Sequence, residues 1–188
     1  LFHFGILFLF FGHLFGQLTP HAVYELVMTP SQKQLLAVVA GGIAGLVCFI
    51  GLSMLLHRRL FDPRIRLTSH RTDIAILVIL WVQLVMGLAT LPASLSHVKD
   101  PQTMITLATY LQGIATFQPN AAPLMGIEWH FLAHMLLGMT IFLLFPFSRL
   151  VHIWSGFASV AYLFRPYQVV RGRRLNVPSG QNLPGRHG

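Results

Sequence analysis

Charge is what this sequence has least of. Charged residues make up 10% of its 188 residues, and only five are Asp or Glu. Soluble domains carry about a quarter charged residues, so an ordinary water-soluble enzyme is excluded. Cys48 is the single cysteine. That excludes internal disulfides, CxxC redox chemistry and zinc knuckles. Cys48 sits in an apolar run and reads as a small buried residue. No basic region followed by a small-residue cleavage site stands near Leu1, so no signal peptide is expected. There is no internal repeat and no stretch with the composition of a soluble domain.

What is present is apolar. Hydrophobic residues make up 54% of the chain, and mean hydropathy is +0.65. The balance predicts an all-α integral membrane helical bundle. Four spanning segments are expected, at about 1–17, 35–56, 73–92 and 127–151. The first is slightly short of the roughly 20 residues needed to cross. It starts inside an apolar run, so upstream sequence is expected to complete it. In the second, Gly41, Gly42, Ala44 and Gly45 allow close helix packing. In the fourth, Pro146 is expected to kink the helix, because its ring removes one backbone hydrogen bond. The fourth helix is expected to continue past the membrane. Residues 1–170 are read as one transmembrane domain and 171–188 as a basic, Gly- and Pro-rich tail.

The net charge of +8 does not point to nucleic acid, because the basic residues mark topology. Arg58, Arg59, Arg64, Arg66 and Arg71 share one loop, and Arg149, Arg165, Arg171, Arg173, Arg174 and Arg186 lie towards the C-terminus. Only Lys33 and Lys99 fall in the other two connections. The positive-inside rule puts both ends of this chain in the cytoplasm, with 18–34 and 93–126 facing outward. The long outer loop is expected to carry a short amphipathic segment at 101–115. The basic tail reads either as a docking element for a cytoplasmic partner or as a plain solvated tail.

Histidines inside apolar segments carry the functional signal. A histidine within a membrane is costly and marks function by default. His134 and His152 are eighteen residues apart, five α-helical turns, so both fall on one face of an unbroken helix. The first segment adds His3 and His13. Depth selects the pairs. With the first helix running outward and the fourth inward, His13 lies roughly 8 Å and His134 roughly 12 Å below the outer end. His3 lies roughly 23 Å down and His152 roughly 39 Å. The outer pair is therefore His13 with His134 and the inner pair His3 with His152. The inner match leaves a gap of about 15 Å on straight helices, which tilt and the Pro146 kink must close. His3 and His13 are about 80° off one line.

Two such pairs suit two haem b groups, whose iron takes neutral imidazoles axially and whose macrocycle fills an apolar gap. Gly5, Gly12, Gly16 and Gly138 would let a flat ring approach the backbone, although ordinary helix packing explains small residues as well. Bis-histidine ligation leaves no open position, so such haems carry electrons. His130 stands four residues before His134, a spacing that can also bind zinc, with Glu128 as the one acidic neighbour. His21, His57, His70, His97 and His187 are read as solvated.

LFHFGILFLFFGHLFGQLTPH, the loop HRRLFDPRIR and LLGMTIFLLFPFSRLVHIWS resemble the gamma subunit of membrane-bound respiratory nitrate reductase, a dihaem cytochrome b. The resemblance runs from Leu1 to about Arg171. It implies five spanning helices in the family, the first of them missing here. It implies iron ligation by His13 and His134 at the distal, outer haem and by His3 and His152 at the proximal, inner haem. Choosing His134 over His130 rests on its fixed distance to the PFSRL segment. The resemblance also implies a quinol site near the outer face involving Gly12, His13 and Lys33, taking menaquinol or ubiquinol. Lys33 would hydrogen-bond a quinone carbonyl or a haem propionate. The implied partners are an iron–sulfur beta subunit and a molybdenum-containing alpha subunit on the cytoplasmic side, the latter reducing nitrate. The implied enzyme is a quinol:nitrate oxidoreductase in the cell membrane of a bacterium or archaeon. His130 and the tail from Arg173 fall outside the pattern. Two other readings stay open: a related dihaem b subunit of another reductase, and a haem-free helical anchor or transporter.

Overall fold

Lipid offers a main chain no hydrogen-bond partner, so apolar segments of this length close their bonds internally as α-helix. The computed structural model describes residues 1–152 and 155, and among them there is no strand. The chain divides into two units, Leu1–Val151 and His152–Gly188, and the architecture below is that of the first. Eight α-helices run in order: α1 Phe2–Leu18, α2 His21–Tyr24, α3 Pro30–Phe61, α4 Pro63–Leu67, α5 Arg71–Ala89, α6 Leu91–Ser96, α7 Gln102–Ala115 and α8 Trp129–Leu144. Short 3-10 turns occupy Ala122–Gly126, Phe145–Phe147 and Arg149–Val151. Three helical stretches are long and apolar enough to cross a membrane: Pro30–Phe61, Arg71–Ser96 and Trp129–Phe147. The 17-residue α1 is a shorter apolar helix. The predicted tail, 171–188, lies outside the described residues, as do residues 156–170 of the predicted transmembrane domain.

Helix ends are set by caps and prolines. The α3 start is a capping box. The Thr29 hydroxyl accepts from the Gln32 N–H at 3.3 Å, and the Gln32 side chain accepts from the Thr29 N–H at 2.9 Å, with Pro30 in the first turn. At the other end Asp62 precedes Pro63 and is extended (φ −81°, ψ 115°), as a residue before proline must be. Its carboxylate then caps α4 through the Arg64 N–H at 3.0 Å. These signals carry α3 well beyond the expected 35–56. Its 32 residues measure about 48 Å, because the flanking Gln, Lys and Arg are good helix formers. The expected segment at 101–115 is α7. It ends in a Schellman-type turn, with Phe117 left-handed at φ 60° and the Gln118 N–H on the Gly113 carbonyl at 2.7 Å.

The fourth spanning helix departs from expectation. The α-helix stops at Leu144 and does not run on to residue 151. Pro146 cannot donate to the carbonyl one turn back, so Phe145–Phe147 tightens to 3-10 geometry and Ser148 is extended (φ −124°, ψ 166°). His134 and His152 therefore do not share an unbroken helix, and five turns of one helix no longer relate them.

Packing follows the small residues. α1 lies along α3, α3 along α5, and α5 along α8. A Cβ on Gly5 would sit 2.7 Å from the Cys48 Cβ, and one on Gly51 would sit 2.5 Å from the Phe2 nitrogen. Main chains of α1 and α3 thus touch at two points about one helical turn apart. Cys48 and Leu52 are fully buried there, as expected for Cys48. Polar ties cross the α3–α5, α3–α6 and α1–α7 seams. Trp81 Nε1 donates to the Ser53 hydroxyl at 3.0 Å, Gln34 Nε2 to the Ser94 carbonyl at 2.6 Å, and Gln112 Nε2 to the Gln17 carbonyl at 2.8 Å. Each contributes about 0.6 kcal/mol by the average for membrane helices. Phe8, Leu36, Ile43, Leu136 and Phe142 are exposed and form the apolar outer surface that a membrane bundle presents to lipid.

Gly5→Leu should drive α1 off α3. Overpacking of this kind costs about 1–3 kcal/mol, and a thermal melt of detergent-solubilised protein should drop accordingly. Gly41 has no atom within 4 Å of its would-be Cβ, so Gly41→Leu should melt like wild type. Equal melting of the two variants would contradict the α1–α3 contact.

Candidate haem and quinol site

The helix row α1–α3–α5–α8 is closed by side chains. α8 meets α1 through rings: His13 and His134 have centroids 6.1 Å apart at an interplanar angle of 52°, and Phe10 and Phe142 lie 6.3 Å apart. The structure thus brings the expected outer pair together across the seam between the first and last helices. His13 Nδ1 lies 2.8 Å from the Leu9 carbonyl oxygen, one turn back on α1. A carbonyl can only accept, so the ring proton sits on Nδ1 and Nε2 keeps its lone pair free. Two imidazoles bound through one nitrogen each to opposite sides of a metal, at about 2 Å per bond, place their centroids roughly 6 Å apart. The observed separation fits that arrangement. Among the described residues no group of three or more His, Cys, Asp or Glu could hold a metal ion. The donor chemistry here is two imidazoles in an apolar seam, which suits haem iron.

The four glycines proposed as the macrocycle's floor separate into two kinds. Gly12 and Gly16 have nothing within 4 Å of a would-be Cβ, so they border open space. Gly5 is taken up by Cys48 of α3, and Gly138 is covered by the Gln83 amide of α5, 3.1 Å from a would-be Cβ. Those two are helix-packing residues.

His3 is exposed on α1, with its ring edge against Phe2 at 5.3 Å. His152 begins the second unit, and in it the Ser155 hydroxyl donates to the His152 carbonyl at 2.9 Å. The two inner histidines fall in different units, so their pairing rests on the sequence argument.

Lys33 sits in the first turn of α3. Its Nζ lies 3.6 Å from the centroid of the Tyr24 ring, a cation–π contact. Tyr24 is buried, with His21 edge-on at 5.0 Å, and His21 pairs with Glu25 at 3.0 Å. Burial first, and the Glu25 carboxylate second, hold the Tyr24 phenol above its ordinary pKa, so it stays a neutral ring under the ammonium.

His97 is not freely solvated as expected. Its Nε2 lies 3.7 Å from Glu128, and its Nδ1 is buried without a hydrogen-bond partner. His130 Nε2 approaches the other Glu128 oxygen at 3.2 Å, but the direction is too poor for a hydrogen bond. Glu128 thus bridges the end of α6 and the start of α8. His21 is paired with Glu25, while His57 and His70 are exposed as expected.

Against known proteins, residues 1–173 match the family described as nitrate reductase gamma subunit. The chain belongs to the nitrate reductase gamma subunit family. It is 49% identical over 174 residues to the respiratory nitrate reductase 1 gamma chain of Escherichia coli, covering 92% of this chain and 76% of that one. The respiratory nitrate reductase 2 gamma chain of the same organism is also 49% identical, over 93% of this chain and 76% of that one. The nitrate reductase gamma chain of Bacillus subtilis is 36% identical, over 92% of this chain and 77% of that one. The family match stops at residue 173, at the start of the tail that had no counterpart in the resemblance.

Sequence reasoning missed two residues of the gamma-subunit seam. Gly87 of α5 faces His134, whose Cε1 would be 2.8 Å from a Cβ there. Gln83, one turn back, covers Gly138. The available signal was Gln83 itself, the one amide inside the apolar 74–92 run.

Removing the Tyr24 ring should free Lys33. A cation–π contact contributes about 0.5–1 kcal/mol at such sites. Tyr24→Leu should therefore raise the acylation rate of Lys33 by an amine-reactive reagent roughly two- to fivefold. An unchanged rate, measured by mass spectrometry, would mean the ring does not hold the ammonium.

Proposed function

We propose that this chain is the quinol-oxidising, haem-carrying membrane subunit of a respiratory nitrate reductase. The outer haem b would be held by His13 and His134 and the inner haem b by His3 and His152. The observation that carries the reading is the approach of His13 and His134 to 6.1 Å across the α1–α8 seam. A b-type haem with two imidazole ligands has no open coordination position, so when bound it supplies a one-electron carrier.

The chain's own residues do the rest. The Leu9 carbonyl fixes the His13 tautomer and ring orientation, as outer partners of metal-bound histidines do. Gly12 leaves room beside His13 for a flat ligand. Lys33, parked on Tyr24 at the outer end of α3, offers an ammonium donor to a quinone oxygen. Quinol, menaquinol or ubiquinol, gives up two electrons and releases its protons on the outer side. The electrons leave on the cytoplasmic side to an iron–sulfur beta subunit, and a molybdenum-containing alpha subunit reduces nitrate. The basic segment at Arg58, Arg59, Arg64, Arg66 and Arg71 is the cytoplasmic face by the positive-inside rule and a docking surface for those partners. Inward electron movement with outward proton release charges the membrane.

A reduced-minus-oxidised spectrum of the purified subunit tests the reading first: a b-type band equivalent to two haems per chain is expected, and its absence would leave a haem-free anchor. His134→Ala should remove one haem and keep the other; loss of neither haem would remove His134 as a ligand. Lys33→Ala should slow quinol oxidation about tenfold or more, the scale of losing a charged hydrogen bond, with both haems retained. An unchanged rate would take Lys33 out of the quinol site.

A further inference from the structure

Inside a membrane helix, a buried polar atom without a partner is costly. Two such atoms belong to residues of the α5–α8 seam: His134 Nδ1 and the Gln83 side-chain oxygen are both buried with no hydrogen-bond partner. One is a donor when the ring proton is on Nδ1, and the other only accepts. The register places them as neighbours. Gly87 of α5 lies against the His134 imidazole, and Gln83, one turn back on α5, lies against Gly138, one turn on from His134. The imidazole also meets the Gln83 main chain. The absent side chain at Gly87 is what lets the ring sit this deep, 2.8 Å from where a Cβ would be.

We propose that Gln83 is a positioning residue for His134. Its side-chain carbonyl accepts the Nδ1–H, so Nε2 keeps its lone pair free to ligate. His13 has the same provision from the Leu9 carbonyl at 2.8 Å, so both outer ligands are held by an oxygen behind the ring. The proposal rests on the reading of His134 as a haem ligand. An acceptor behind an imidazole makes it a stronger ligand for the ferric ion, which lowers the reduction potential of the iron.

The test is a redox titration with low-spin electron paramagnetic resonance of purified wild type, Gln83→Leu, Gln83→Glu and His134→Ala. The inner haem serves as the internal measure of folding. Gln83→Leu should weaken retention of the outer haem by about 10- to 100-fold, the cost of losing such a partner, and raise its potential. Gln83→Glu, a stronger acceptor, should lower that potential. Opposite shifts are what a purely packing role for Gln83 would not produce. If His134→Ala keeps both haems, the ligand reading fails. If His134→Ala loses the outer haem but Gln83→Leu leaves its content, potential and resonance unchanged, the positioning role is overturned. Should Gln83→Leu lose both haems, Gln83→Glu decides: a lowered outer potential supports the proposal and an unchanged one overturns it.

Discussion

The main-chain contact between α1 and α3 fixes everything that α1 presents. Gly5 and Gly51 leave no room for a Cβ, and Cys48 and Leu52 fill what lies between. In lipid there is no hydrophobic drive between helices, so such close packing is what holds them. Once Gly5 faces α3, the helical repeat places His13 about 80° further round α1. It therefore turns to the seam with α8 and does not enter the α3 contact. The position of one imidazole thus follows from a glycine eight residues before it.

Polar groups in this bundle mark places where the apolar pattern was interrupted for a reason. Some tie helices together: Trp81 to Ser53, Gln34 to Ser94 and Gln112 to Gln17, with the Gln34 and Gln17 side-chain oxygens still buried and unpaired. Others are left half-used. Gln83 and His134 each keep a buried atom unpaired in the same seam. The ties close the α3–α5, α3–α6 and α1–α7 contacts; Gln83 and His134 border the seam where haem iron and its ligands are proposed to sit.

One end of the bundle, the side proposed to face outward, is built by short elements. Tyr24, in a single helical turn, carries Lys33 on its ring face, and Glu128 joins His97 to His130 across a long excursion of the chain. These contacts are individually weak, about 0.5–1 kcal/mol for a cation–π pair such as Lys33 on Tyr24. Their role is placement. Each ties a loop residue to the start of a spanning helix, at the side where the quinol site is proposed.

Much was legible in the sequence because it depends on local chemistry. Apolar run length gave the spanning segments, Lys and Arg placement gave the expected orientation, and depth along two helices paired His13 with His134, which the structure brings together. The α7 segment and the buried Cys48 were legible for the same reason. Three matters were decided by tertiary structure. Capping and prolines reset the helix ends, so α3 runs on to Phe61 and α8 stops at Leu144. Glycines that look alike along the chain diverged, Gly5 and Gly138 going to helix contacts and Gly12 and Gly16 to open space. The surroundings of His134, with Gly87 in front and Gln83 beside it, depend on the antiparallel register of α5 and α8. Spacing within one helix states which residues share a face. What that face meets depends on a second helix far away in sequence, and only packing sets its register.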